Sequence, residues 1–407
     1  MNSKNISSSR RSFIKKGMTG LAGAVLAPNL IKNSKAYYKP QEQNRKFVYR
    51  TLGKTGIKLP VVSMGTYNAT SVAREGLDAG IVHIDTSAEY RQGNDEIMFG
   101  ELIKDRPRDS YVMGTSIGIW QYRSVDQVKN ALSAQRIKDS FNGSLERLKL
   151  DFVDIYYLGG VQFKETMEYE PYLEAFRELK RSGKARFLGI TTHANEPEMI
   201  RMATDSDVWD VVLTKYNFRQ NNKDEVKEAI KYAADKGMGV VAMKTQAGVY
   251  WDSQTKKEMI NQKAALKWVL QDENVHTAIP SFKTSEQMYE DLSVMEDLKL
   301  TDQELADLKL DKGQQQSATG MFCSQCNECI PQCPHDLDIP TIMRSYMYAY
   351  GYEQPSKARE TLDYVDLAGI PCSGCSTCSV TCASGFDVKK KVTDIARLKE
   401  VPREFLV

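Results

Sequence analysis

The 407-residue sequence lacks a strong net charge, any internal repeat beyond its paired cysteine runs and, beyond residue 36, any long apolar run. Without about 18 consecutive apolar residues, no membrane span is expected in the mature chain. The first 36 residues hold 7 of the 55 Lys and Arg and no acid, which leaves 48 basic against 53 acidic residues. This slightly acidic balance gives no support for nucleic-acid binding.

Cysteine is absent from most of the chain, because all eight cysteines lie in two runs with the spacing C-x2-C-x2-C-x3-C. Three thiolates of such a run surround one iron-sulfur cluster, and the fourth ligates the other cluster of a two-cluster ferredoxin. The spacing therefore predicts two 4Fe-4S clusters with crossed ligation. The two predicted ligand sets are Cys323, Cys326, Cys329 and Cys382, and Cys372, Cys375, Cys378 and Cys333.

Disulfides and zinc are the alternatives for these thiols. Bridges within C-x2-C would be cramped, and zinc sites usually draw their ligands from separated pairs. Each run also resembles the bacterial ferredoxin signature, although Ala383 stands in the second run where proline is usual. The iron-sulfur interpretation is favoured because the complete spacing occurs twice.

The sequence of the amino terminus is typical of an export signal. Ser9–Lys15, with its paired arginines, precedes a short apolar stretch from Met18 to Ala27 and resembles a twin-arginine signal. We expect cleavage after Ser34-Lys35-Ala36, hence a signal peptide over residues 1–36, export by the twin-arginine translocase and a periplasmic location. A disordered basic tail is the alternative.

From residue 47 onwards, short β-rich runs alternate with helical stretches. After a predicted hairpin over Phe47–Leu59, eight candidate strands follow. They are Val61–Thr66, Ile81–Thr86, Tyr111–Ile117, Val153–Leu158, Arg186–Thr191, Val211–Tyr216, Gly239–Lys244 and His276–Pro280. Eight such units predict an α/β fold, a (β/α)8 TIM barrel over residues 47–310, with functional groups at the carboxyl ends of the strands. An open doubly wound sheet is disfavoured because no Gly-x-Gly-x-x-Gly follows the first strand.

A second domain is predicted over residues 315–400, after the polar linker Asp311–Gln316. Its helices, predicted at Ile339–Tyr352 and Ser356–Leu367, lie between the two cysteine runs and resemble the small α-helical type of two-cluster ferredoxin. We interpret the Met and Tyr side chains of the first helix as packing around the clusters.

Several motifs in the barrel region resemble aldo/keto reductases. They are Tyr49–Gly56, Ile84–Tyr90 with Gly93–Glu96, Leu150–Leu158, Phe187–His193 and Ala278–Ser281. The resemblance implies a TIM barrel that binds NADP(H) and reduces carbonyl groups, and some members of that family carry a carboxyl-terminal ferredoxin segment. The family tetrad consists of Asp, Tyr, Lys and His, and only two of these are matched, by Asp85 and Tyr90.

Ser116 stands where the resemblance places the lysine, and Gly159 where it places the histidine. Without a cation nearby, Asp85 is expected to raise the pKa of Tyr90, because a carboxylate repels the phenolate. Loss of positioned acid-base help typically slows a reaction by ~100- to 10,000-fold. His193, after the fifth strand, is our candidate substitute, with Lys215 and Lys244 as further candidates, whereas His83 is expected to fill the barrel.

The cofactor residues follow from the same resemblance. It implies nicotinamide stacking on Tyr216 and carboxamide contacts with Thr191 or Thr192. It also implies phosphate contacts, carried by Lys244, Ser281, Lys283 and Gln287. Thr284-x-x-Gln287 has the form of a capping box, and free amides at a helix start attract phosphate.

Two functions remain open from the sequence. One is an exported oxidoreductase that acts on a small carbonyl or alcohol and exchanges electrons between its clusters and a partner protein. The other is a barrel that has lost catalysis and serves as a binding or electron-transfer module.

Overall fold

The computed structural model describes residues 46–66, 68–246, 261–313, 323, 326–351, 354–365, 367, 372–383 and 385–406. The predicted export signal lies outside these residues. None of the described helices is long and apolar enough to cross a membrane.

The chain enters the barrel through the predicted hairpin. Its strands β1 (Tyr49–Thr51) and β2 (Lys58–Pro60) are antiparallel. The connecting turn ends at Gly56, whose φ of 71° is favoured by glycine. Leu52, Ile57 and Leu59 of this hairpin are buried in one cluster with residues of the barrel interior, so the hairpin covers one end of the barrel.

Seven parallel strands form one curved sheet in chain order. Their bounds are β3 His83–Asp85, β4 Val112–Gly118, β5 Val153–Gly159, β6 Ala185–Thr192, β7 Val211–Lys215, β8 Gly239–Met243 and β9 Thr277–Ala278. The first predicted strand, Val61–Thr66, forms isolated bridges instead: Val62 pairs with Ala278 and Met64 with Ile84, both parallel. Residues 62 and 64 thus join the two edges of the sheet.

Side chains along a strand of the barrel alternate between two buried apolar layers. Ile155 and Tyr157 of β5 belong to the cluster inside the barrel. Tyr156 and Leu158, their neighbours on the same strand, belong to the layer between strands and helices. Successive side chains of a strand point to opposite faces, so a strand buried on both faces needs a nearly continuous apolar run.

Helices connect the strands of the barrel region. They are α1 Thr70–Asp78, α2 Asn94–Ile103, α3 Val125–Ala131, α4 Ala134–Leu148, α5 Lys164–Met167, α6 Glu170–Arg181, α7 Glu196–Asp205, α8 Lys223–Asp235, α9 Gln262–Leu270, α10 Ser285–Val294 and α11 Asp302–Gly313. A helical apolar period runs through residues 125–149, but this stretch forms two helices, because Leu132 and Ser133 are extended and Ser133 caps the second helix.

Residues 323–406, here called the C-terminal segment, contain α12 (Ile339–Tyr346), α13 (Pro355–Asp363) and α14 (Val388–Ala396). The helix predicted over Ile339–Tyr352 is α-helical only as far as Tyr346. The chain then forms a π-helical turn, Met347–Gly351. Cysteines of both runs share an apolar core with these helices. An ion pair between Arg123 and Asp338 ties the segment to the barrel region.

Candidate active site at the barrel mouth

A cavity of about 170 Å³ lies beyond the carboxyl ends of the strands, where barrels of this kind place their functional groups. The barrel region contributes several predicted site residues to its wall, namely Asp85, Tyr90, His193, Lys244, Ser281, Lys283 and Gln287. The opposite wall comes from the C-terminal segment, which contributes Arg344, Tyr348, Gln354, Lys357 and Thr361. The cavity is therefore enclosed by both parts of the chain.

Asp85 and Tyr90 both line this cavity, and the pKa values of both are raised. Burial raises the pKa of Asp85 well above its usual value, and its Oδ1 has no hydrogen-bond partner among the described residues. The pKa of Tyr90 is also raised well above its usual value, first by burial, then by Tyr348 and Asp85. The direction agrees with the sequence-based expectation, but burial rather than Asp85 is the largest cause.

Trp120 occupies the space beside Tyr90, and sequence reasoning missed it. The two rings stack with centroids 5.9 Å apart and planes 25° apart. A Cβ atom at Gly118 would lie 2.2 Å from this indole, and one at Gly159 would lie 3.2 Å from it and 3.3 Å from Ser116 Oγ. Small residues at the ends of β4 and β5 thus make room for the indole. The signal in the sequence is the glycine at each of these strand ends.

His193 follows β6 and faces the cavity as predicted. Burial lowers its pKa well below the usual value, and positive charges at Lys244, Arg344 and other cations lower it further. Its Nδ1 is buried without a hydrogen-bond partner among the described residues. The imidazole is therefore neutral near pH 7. Lys215, another candidate, instead forms an ion pair of 2.7 Å with Glu196.

Lys244 follows β8 with a φ of 57°, a left-handed conformation that is uncommon for a residue with a side chain. Its Nζ lies 3.0 Å from the Oη of Tyr348. Lys357 Nζ lies 4.0 Å from the ring centroid of Tyr90 and 5.8 Å from that of Tyr348. Two lysines, one from each part of the chain, thus flank the two phenols of the cavity.

Tyr348 differs from Tyr90 in its ionisation. Burial alone would raise its pKa, but the charges of Lys244, Lys357 and Arg344 outweigh burial and bring the pKa down to about 8. Sequence reasoning missed these residues of the C-terminal segment because it interpreted that helix as packing. The available signal was polar residues four apart, at 344 and 348 and again at 357 and 361, a spacing that places each pair on one face of a helix.

The residues expected to hold a nucleotide divide into two groups. Ser281, Lys283 and Gln287 line the cavity at the start of α10. Thr284 caps this helix, as the predicted capping box requires, but the Gln287 side chain accepts its hydrogen bond from Lys283 N at 2.9 Å, one residue before the N-cap. Free amides and a lysine at this helix start suit a phosphate group.

The other group lies away from the cavity wall. Thr191 Oγ1 accepts a hydrogen bond from Gly160 N at 2.8 Å, and Thr192 Oγ1 donates one to the Ala194 carbonyl at 2.7 Å. Tyr216 is buried against Trp268, with ring centroids 5.2 Å apart. These three side chains are engaged within the barrel wall, so nicotinamide stacking on Tyr216 remains only a prediction.

The cysteines come together across the two runs. A cavity of about 30 Å³ is lined by Cys333 of the first run and by Cys372, Cys375 and Cys378 of the second. The pKa of Cys329 is raised to about 11, first by burial and then by the neighbouring thiols of Cys326 and Cys382. Among the described residues, no three His, Cys, Asp or Glu side chains converge closely enough for a single metal ion.

Comparisons with known proteins agree with this division of the chain. Residues 64–263 match the aldo/keto reductase family, and residues 301–387 match a 4Fe-4S dicluster domain. The chain thus contains a region similar to the aldo/keto reductase family, followed by a region similar to a 4Fe-4S dicluster domain.

Individual relatives are distant. L-galactose dehydrogenase of Arabidopsis thaliana is 29% identical over 215 residues, which cover 48% of this chain and 65% of that protein. L-glyceraldehyde 3-phosphate reductase of Escherichia coli O157:H7 is 25% identical over 328 residues, covering 64% of this chain and 91% of that one. An aldo-keto reductase from Klebsiella pneumoniae, solved in complex with NADPH, superposes with a TM-score of 0.52 at 21% identity, covering 65% of this chain and 95% of that chain. The last likeness establishes the (β/α) barrel fold.

Proposed function

We propose that the protein binds NADP(H) at the mouth of its barrel and interconverts a small carbonyl compound with its alcohol. The single observation that carries this proposal is the cavity itself, which brings Asp85, Tyr90 and His193 together with Lys244 and Lys283. The relatives point the same way, since one is named as an aldehyde-phosphate reductase and another was solved with NADPH.

The start of α10 supports the nucleotide part of the proposal. Ser281, Lys283 and Gln287 would hold phosphate groups there, and Lys283 adds a positive charge suited to the 2'-phosphate of NADP(H). Bound nicotinamide supplies a hydride in this chemistry. The chain's own residues bind the nucleotide, enclose the substrate and provide the proton.

The catalytic set is altered in this proposal. Ser116 and Gly159 take the places of the family's lysine and histidine, and Trp120 fills the space beside them. Asp85 then has no lysine to pair with at position 116, which agrees with its raised pKa. We expect acid-base help from Tyr90 alone to be weak, because its pKa is raised by its buried surroundings.

The dicluster domain would hold two 4Fe-4S clusters. The cavity lined by Cys333 and three cysteines of the second run has the donor set that such a cluster requires. Cys326, Cys329 and Cys382, grouped with Cys323 by the crossed pattern, would hold the other. The clusters would exchange single electrons with a partner protein that recognises this domain.

The test combines binding with turnover on anaerobically purified protein. We expect about eight irons per chain by ligand count, and NADPH oxidation with some members of an aldehyde panel. Lys283→Met should weaken NADPH binding by about 10-fold, as expected for the loss of ~1.4 kcal/mol, while NADH binding changes less. Lys227→Met, an exposed change on α8, is the matched control. Equal losses for NADPH and NADH would contradict the role of Lys283.

A second function is favoured by one observation: both members of the retained pair, Asp85 and Tyr90, have raised pKa values and are poorly suited to proton transfer. The barrel would then be a catalytically degenerate module for binding or electron transfer. Nucleotide binding without turnover of any aldehyde or alcohol would support this alternative and exclude the first.

The export prediction also remains a proposal. It rests on the paired Arg10 and Arg11 before an apolar stretch. Replacing both with lysine should retain the precursor in the cytoplasm, as measured by cell fractionation; unchanged appearance in the periplasm would contradict a twin-arginine route.

A further inference from the structure

We propose that Tyr348, contributed by the C-terminal segment, is the proton donor and acceptor of this active site, with Lys244 and Lys357 as its positioning residues. This inference rests on the proposed carbonyl-alcohol reaction. It means that the dicluster domain completes the active site of the barrel, so the barrel alone is catalytically incomplete.

The first step of the argument is position. Tyr348 lies in the π-helical turn after α12, and such turns are frequent at functional sites. Its backbone carbonyl accepts a hydrogen bond from Gln354 N at 2.8 Å, which ties the turn to the start of α13. Tyr348 shares the cavity wall with Asp85, Tyr90 and His193. The phenol is therefore placed at the same site that the barrel offers to a substrate.

The second step is the contact with Lys244. Its Nζ lies 3.0 Å from Tyr348 Oη, within hydrogen-bond range. The backbone of Lys244 has a left-handed φ of 57°, and its carbonyl accepts a hydrogen bond from Asn217 Nδ2 at 3.1 Å. Uncommon backbone conformations of this kind persist where the surroundings fix them, and they cluster at active sites. The conformation directs the lysine side chain across the mouth of the barrel to Tyr348.

The third step is the charge that surrounds both phenols. Charged and titratable groups lie around Tyr348 in the cavity: Lys244 after β8, Arg344 on α12, Lys357 on α13, Tyr90 after β3 and His193 after β6, with Glu360 of α13 paired to Lys357. Three of these are cations, and His193 is neutral. Lys357 is shared, since it lies over the ring of Tyr90 and pairs with Glu360 at 3.6 Å.

These surroundings shift the pKa values of the two tyrosines in opposite directions. The pKa of Tyr348 is lowered to about 8, whereas that of Tyr90 is raised well above its usual value. Two titratable groups whose surroundings drive their pKa values apart usually have different catalytic roles. An acid with a pKa near the working pH transfers a proton most effectively, and this favours Tyr348.

In the reduction direction, the carbonyl carbon receives a hydride from a reduced nicotinamide dinucleotide as the C=O π bond breaks. The carbonyl oxygen takes the proton of Tyr348 Oη. The products are the alcohol, the oxidised dinucleotide and a tyrosinate, which Lys244 stabilises by its charge and its hydrogen bond. A proton from the solvent restores Tyr348, so that one carbonyl, one hydride and one solvent proton give one alcohol and one oxidised dinucleotide.

The first test titrates the phenol without any substrate. Tyrosinate absorbance near 295 nm is followed from pH ~6 to pH ~10 in the anaerobic holoprotein and in Tyr348→Phe, and the two curves are subtracted. We expect the wild-type titration curve to contain a step equal to one tyrosine, with a midpoint at about pH 8. This step should disappear in Tyr348→Phe and persist in Tyr90→Phe. Tyr350→Phe, an exposed change in the same turn, is the matched control and should keep the step.

A second pair of variants keeps the test decisive if Tyr348→Phe folds poorly. Lys244→Met and Lys357→Met should each move the midpoint upward, by about 1 unit or more for the hydrogen-bonded Lys244. Iron content and Tm are compared first, so that a folding defect is recognised. A midpoint that stays in place in both lysine variants would overturn the proposal.

The second test measures turnover with an aldehyde that the wild type reduces. Tyr348→Phe should lower kcat by ~100-fold or more while NADPH binding stays unchanged, and the pH profile of the wild type should follow the titration midpoint. Activity that survives in Tyr348→Phe would contradict this inference alone. A wild-type protein without turnover would instead contradict the proposed function, which separates the two failures.

Discussion

Gly118 and Trp120 allow a direct test of why the ends of β4 and β5 carry glycine. A Cβ atom at Gly118 would lie 2.2 Å and 2.3 Å from two indole carbons of Trp120, closer than packed atoms approach. Gly118 has no left-handed φ, so Gly118→Ala introduces a steric conflict without added backbone strain. The three atoms nearest to this Cβ all belong to the ring, so we expect the conflict to vanish when the ring is removed.

The expected size follows from overpacking. Inserting one carbon into a filled site typically costs ~1–3 kcal/mol. In a Trp120→Ala background the same change should cost nothing, or even stabilise the strand by ~0.5–1 kcal/mol, because alanine loses less backbone entropy than glycine. The interaction between the two changes is therefore about as large as the clash itself.

Thermal unfolding of the four proteins in this cycle, at one scan rate and matched iron content, measures the effect. A cost of 1 kcal/mol lowers Tm by ~2–4 °C for a domain of this size, so Gly118→Ala should lower Tm by roughly 2–12 °C in the wild type only. An equal loss of Tm in both backgrounds would refute the reasoning, because the indole would then not be the obstacle. In Gly118→Ala the added methyl group should displace the indole and so alter the fluorescence of Trp120, which stacks on Tyr90.

Two further predictions concern buried acids and cluster ligands. Asp85 has a folded-state pKa above its unfolded value, so the unfolded chain loses this proton first as pH rises and the native state is penalised above pH ~4. Asp85→Asn should therefore raise Tm at pH 7, and this gain should be lost near pH 4. A gain in Tm of equal size at both pH values would contradict the prediction. For the clusters, Cys333→Ala and Cys378→Ala should each reduce iron from about eight to about four per chain, and the double variant should also keep about four. Complete loss of iron in the double variant would show that these cysteines ligate different clusters.

The role proposed for Tyr348 would give the C-terminal segment a function that does not depend on electron transfer. Arg344 and Lys357 of this segment line the same cavity as Lys244 and Lys283 of the barrel region. Under this proposal the chemistry requires an intact C-terminal segment.

Much of the barrel could be predicted from local patterns. The hairpin around Gly56 and seven of the eight strands follow from alternating apolar residues and from turns, which are local properties. The break between α3 and α4 was missed because a helical apolar period continues across Leu132 and Ser133, although the backbone there is extended. The π-helical turn was missed for the same reason: the pattern of a helix does not reveal a change in its hydrogen bonding.

The sequence by itself determined the order of strands, the paired cysteine runs and the identity of Asp85, Tyr90, His193 and Lys244 as residues near strand ends. Only the tertiary structure decided that Tyr348 and Lys357 meet them, and that Trp120 fills the space beside Gly159. The reason is physical: residues 104 to 272 positions apart share a cavity only through the packing of whole helices over the barrel, and no local period encodes that packing.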